Sequence, residues 1–150
     1  MLVYRVSKTQ YAEDLEGTGA KLYGSRWNRV GTPCIYTSES RALAILEYSV
    51  NSNIDFIPRA LSLCTFEIDE SVIKQFRISQ LPGDWKDAPV PYSTKRFGTK
   101  WFEKNMAILK VPSIVIPEEF NYLINPVLES NHFKLLDIKD LVYDLRIKKN

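Results

Sequence analysis

Apolar residues in this chain come in short runs, most of them broken by proline, glycine or polar clusters before a helix could form. Such runs read as strands, and strands must find partners. Leu2 to Ser7 alternates, with Leu2, Tyr4 and Val6 on one face and Val3, Arg5 and Ser7 on the other. Lys21 to Asn28 is a second short strand candidate, interrupted by Gly24, where a bulge or the close approach of another group is expected. Cys34 to Thr37 is a brief strand, and Leu61 to Ile68 is apolar on both faces, which places it inside a sheet or sandwich. Ala107 to Val111 and Ser113 to Ile116 read as strands split by Pro112, followed by Phe133 to Ile138 and Leu141 to Ile147. Two segments read as helices. Ser38 caps one that runs to about Val50, striped by Ala42, Leu43, Leu46 and Val50. The other covers Ser93 to Asn105, with Phe97, Trp101 and Phe102 on its inner side. Glu13 to Gly19, Asn28 to Pro33 and Gln80 to Pro91 are loops. At 150 residues, with no internal repeat, the chain is expected to form one domain spanning 1–150.

Several kinds of chemistry lose support from composition. A net charge of +2, with Lys and Arg interspersed among Asp and Glu, is too small to argue for nucleic acid. The two cysteines, Cys34 and Cys64, sit far apart in apolar runs and read as buried thiols. No leader-like start and no run of about 20 apolar residues is seen, so a cytoplasmic protein with no membrane partner is expected. The one histidine, His132, lies in a polar stretch and reads as solvent-exposed, which disfavours triad mechanisms. No closely spaced Cys and His set suggests a metal site. Phosphate-binding glycine loops and the Ser-nucleophile elbow are not found.

What remains is chemistry that runs on Arg, Glu, Tyr and Ser, such as cleavage of an N-glycosidic bond. A carboxylate can stabilise the oxocarbenium-like charge of that reaction. Glu47 lies at the edge of the stripe made by Leu43, Leu46 and Val50, a place where a rim residue and a catalytic one look alike. Arg5 and Arg26 are matching cations, and guanidinium forks suit a diphosphate. Taken singly, either arginine reads first as half of a surface or core ion pair.

The segments Tyr4-Arg5, Gly19 to Asn28, Ile35 to Ser38, Leu43 to Glu47, Gly98 to Trp101, Val111 to Ser113 and Asn121 to Pro126 occur in this order across the chain. Together they resemble the RES domain family, the toxin halves of bacterial RES–Xre toxin–antitoxin pairs. The resemblance implies an α/β (α+β) fold like that of ADP-ribosyltransferase toxins, with a split mixed β-core and flanking helices. It implies NAD⁺ as substrate, with no separate cofactor, degraded by water or phosphate. It implies a partner, an Xre-type helix-turn-helix antitoxin, and hence a hetero-oligomer. The arginine, glutamate and serine of the family name fall on Arg26, Glu47 and Ser113. By the same resemblance Glu47 and Arg26 are the expected catalytic residues, with Arg5, Tyr23, Tyr36, Ser113 and Asn125 as expected contacts to the dinucleotide. Two departures stand out: Gly24-Ser25 replaces a pair of glycines, and Val127-Leu128 follows Pro126 where a histidine is expected. Transfer of ADP-ribose to a protein and a catalytically silent binding module are the alternatives.

Overall fold

The computed structural model describes residues 1–148. A single seven-stranded mixed sheet organises the chain, in the order β4-β5-β6-β2-β1-β3-β7. Its strands are β1 (Leu2–Lys8), β2 (Ile35–Ser38), β3 (Leu61–Ile68), β4 (Ile73–Gln75), β5 (Ile108–Pro112), β6 (Phe120–Ile124) and β7 (Phe133–Leu141). Three α-helices accompany them: α1 (Thr18–Tyr23), α2 (Arg41–Val50) and α3 (Tyr92–Glu103). Only β4 and β5 pair in parallel.

The sheet is split in the middle. β1 pairs along its whole length with β3, but it meets β2 at one residue pair, Tyr4 opposite Ser38. Across the joint, Val3, Cys64 and Phe66 from one half pack with Ile35, Ile108 and Ile124 from the other. The opposite face carries the helices. Tyr4 and Leu63 pack on Ala44 of α2. Leu109, Val111 and Leu123 pack on Trp27, Trp85, Trp101 and Phe102, the last two from α3. Strand alternation sorts these two sets, since successive side chains point to opposite faces.

β3, apolar on both faces, lies between β1 and β7, as its composition requires. Other expectations are corrected. Residues 18–23 form a short helix instead of a strand, bounded by left-handed Gly17 and by Gly24, both at positive φ. Cys34 precedes its strand, which begins at Ile35. Ser40, not Ser38, caps α2, accepting from the Leu43 N–H at 3.0 Å. Ser38 is held back in β2 by its pairing with Asn121. Residues 113–116 form a turn rather than a strand, and 145–148 form a 3₁₀ turn beyond the end of β7. β4 and β6 have no counterpart in the sequence reading. His132 is buried rather than exposed, with Nε2 2.8 Å from the Asn125 carbonyl and Nδ1 2.6 Å from the Ser130 hydroxyl. Both thiols are buried and unpaired, and burial pushes Cys34 well above the usual thiol range. Among the described residues no helix is long and apolar enough to cross a membrane.

Candidate active site

Glu47 sits on the last turns of α2, which rests on β1. Its Oε1 receives two hydrogen bonds from the other half of the sheet: the Ser113 hydroxyl at 2.6 Å and the Asn121 amide at 2.9 Å. Ser113 follows Pro112 at the end of β5 and is buried. Its oxygen accepts from the N–H groups of Val115 and Ile116, at 3.1 and 3.2 Å. With both lone pairs occupied, the hydroxyl proton is left to point at Glu47. Asn121 lies opposite Ser38 on the same face, and the Ser38 hydroxyl donates to its Oδ1 at 2.7 Å.

Arg26 stands on the loop after α1. Its Nη1 donates to the carbonyls of Trp85 and Asp87, at 2.8 and 3.0 Å. Among the described residues, Nε and Nη2 make no hydrogen bond to protein. Partial burial lowers the Arg26 pKa, and the charges of Glu47, Tyr36 and Asp87 oppose that shift. Glu47 acts on Arg26 through its charge, yet no ion pair forms between them among the described residues.

The loop behind Arg26 is built around Asn28, which is fully buried. Its amide donates to the carbonyls of Ala20 and Thr32 at 2.8 and 2.9 Å. Its Oδ1 accepts from the Tyr36 hydroxyl at 2.6 Å, and that hydroxyl accepts from the Trp27 N–H at 3.1 Å. Enclosure pushes the Tyr36 phenol well above its ordinary range, aided by Cys34. Tyr36 thus stays neutral and fixes the loop that carries Arg26, with its ring against the tryptophan cluster.

Two expected contacts, Arg5 and Asn125, are held elsewhere in the fold. Arg5 lies on the opposite face of the sheet, in register with Cys64. It donates to the carbonyls of Ala12 and Asp14 at 2.9 and 3.1 Å and lies 5.0 Å from the centre of the Phe66 ring. Strand alternation explains the correction: residue 5 shares the face of Val3, not that of Tyr4. Tyr23 is 81% exposed on α1. Asn125 is buried at the far end of β6, about 13 Å along the strand from Asn121. Its amide closes a turn on the Met106 carbonyl at 3.0 Å. Asn121 and Ser38 were missed as site residues, because only strand register brings them to Glu47.

Arg5→Met keeps the stem on Phe66 but removes both carbonyl bonds. It should lower stability by about 1–3 kcal/mol in a urea titration, with the Glu47 cluster untouched. Loss of function without loss of stability would return Arg5 to the site.

A split mixed sheet carrying a Glu–Ser–Asn cluster, with an arginine under the charge of that glutamate, defines a class of single-domain mixed α/β proteins. The chain belongs to the RES domain family, whose model matches residues 2–146. It is 38% identical to the "Toxin Res" of Photorhabdus laumondii over 97% of this chain and 94% of that one. It is 36% identical to the "Prs ADP-ribosylating toxin" of a Sphingobium species, over 94% of this chain and 91% of that one. Its fold is that of a chain in the crystal structure of the Mycobacterium tuberculosis MbcT–MbcA toxin–antitoxin complex. The two superpose with a TM-score of 0.77 at 17% identity, over 98% of this chain and 87% of that one.

Proposed function

We propose that this chain is the toxin of a toxin–antitoxin pair and that it breaks the nicotinamide–ribose bond of NAD⁺ in the cytoplasm. One observation carries the reading: Glu47 is clamped through a single oxygen, by Ser113 and Asn121, and acts through its charge on an Arg26 with which it forms no ion pair. As the glycosidic bond breaks, its electron pair goes to the nicotinamide nitrogen and the base leaves neutral. No general acid is needed for that departure. Positive charge grows on the ribose C1 and ring oxygen, where the Glu47 carboxylate opposes it. Water or phosphate then adds to C1 and loses a proton. Arg26, with Nε and Nη2 open, suits the diphosphate.

Relatives named "Toxin Res" support the toxin reading, and the neighbour's complex supports an antitoxin partner, here of the Xre helix-turn-helix type. The relative named an ADP-ribosylating toxin favours a second reading, in which the same cleft transfers ADP-ribose to a protein.

Chromatography of NAD⁺ incubated with the purified chain tests both. Free nicotinamide in buffer alone is expected, and dependence on phosphate would identify phosphorolysis. The product of the neighbouring antitoxin gene should suppress it. Labelled protein in a lysate with slow turnover in buffer would favour transfer. NAD⁺ that is bound but left intact would make the chain a binding module and end the enzymatic reading.

A further inference from the structure

We infer that Asn121, held by Ser38, is a positioning residue that fixes the orientation of the Glu47 carboxylate, so that one oxygen is held by protein and the other is left for the substrate. The inference rests on Glu47 being the acidic group of the proposed reaction.

Both donors on the carboxylate converge on Oε1, and among the described residues Oε2 receives no hydrogen bond from protein. Rotating the carboxylate would break two charge-assisted bonds at once. Ser113 alone would leave it free to pivot about one contact; the Asn121 amide supplies the second point. The amide has one productive orientation. Its Oδ1 takes the Ser38 proton at 2.7 Å, so its NH₂ faces Glu47 at 2.9 Å. The flipped amide would set an acceptor against a carboxylate oxygen. The sheet itself builds this relay, since Ser38 of β2 and Asn121 of β6 are paired across the ladder on one face. Ser38 is also the residue at which β2 meets β1, so the relay starts at the joint between the two halves. Arg26 and Glu47 interact through their charges, but Arg26 does not donate to Oε1. Oε2 is therefore presented toward the cleft as the oxygen available to the ribose.

Asn121→Asp keeps the shape and replaces the donor with an acceptor. In protein labelled with ¹³C at the glutamate carboxyl, the Glu47 signal is assigned by its absence in Glu47→Gln. That signal should shift in Asn121→Asp, where the amide donor on Oε1 is gone, and shift less in Ser38→Ala, where the amide is kept but freed. Ser38→Ala should also lower kcat for NAD⁺ several-fold with KM little changed. If Asn121→Asp does not fold, Ser38→Ala carries the same test. An unmoved Glu47 signal in the folded variants would overturn the inference. Wild-type protein that left NAD⁺ intact would instead sink the proposed reaction, while the carboxyl signal still decided whether the relay holds the carboxylate.

Discussion

Glu47→Gln should leave the chain folded and lower its NAD⁺ turnover by about 10³-fold, the usual scale for removing one preorganised stabiliser of transition-state charge. The amide is isosteric and can still accept from Ser113 and Asn121 through its oxygen, so the two bonds on Oε1 survive the exchange. The negative charge does not. The loss should therefore appear in kcat, with KM little changed, because binding of the diphosphate is left to Arg26. Nicotinamide release by the purified variant measures the first effect, and growth of cells expressing it without antitoxin measures the second. Cells should grow normally. Turnover at the parental rate would remove Glu47 from the mechanism.

Gly98→Ala should be the most destabilising single methyl in the molecule. A Cβ at Gly98 of α3 would lie 1.9 Å from the Trp27 carbonyl oxygen and 2.8 Å from its carbon. Both atoms are backbone, so no rotamer change relieves the clash, and helix and loop must separate. A loss of about 3 kcal/mol is expected from overpacking of this kind, read as a lower urea midpoint at unchanged slope. The loop that must move holds Arg26 next to Trp27, and Arg29, whose N–H donates to Thr99 of α3 at 2.9 Å. KM for NAD⁺ should rise with it. Gly19→Ala is the control: it lies within α1, its Cβ would meet nothing within 4 Å, and it should gain about 0.5–1 kcal/mol. Equal stability of the two alanine variants would refute the account of the α3 contact.

The parts of this fold that show in the sequence are those whose pattern is local. β1 alternates, β3 has apolar residues on both faces, and α2 and α3 carry stripes at helical spacing, so each announces itself. β6 does not. It is an interior strand flanked by β2 and β5, its Tyr122, Leu123 and Ile124 are all buried, and period-two patterning vanishes when both faces are covered. β4 is three residues at a sheet edge, too short to carry a period. Val115 and Ile116 look like strand residues, but their N–H groups are taken by the Ser113 hydroxyl. His132 looks polar by its neighbours, yet a buried imidazole closes the turn between β6 and β7. The site divides in the same way. Arg26, Glu47 and Ser113 were legible through motifs that resemble a family; the structure bonds Ser113 to Glu47, and Arg26 lies under the charge of Glu47. Arg5 was misplaced although its alternation with Tyr4 was plain, because which face of β1 meets α2 is decided by long-range packing. Asn121 and Ser38 became site residues only through a register between strands about eighty positions apart.

The single residue pair linking β1 to β2 has a consequence for when the molecule becomes dangerous. Glu47 rides on a helix seated against β1, whereas its two anchors hang from β5 and β6 on the far side of that seam. Neither portion contains a working carboxylate by itself. The Glu47 carboxylate has both its anchors only when the two portions have closed on each other. A nascent chain still emerging from the ribosome, or one partly unravelled by heat, is in that sense safe for the cell that makes it.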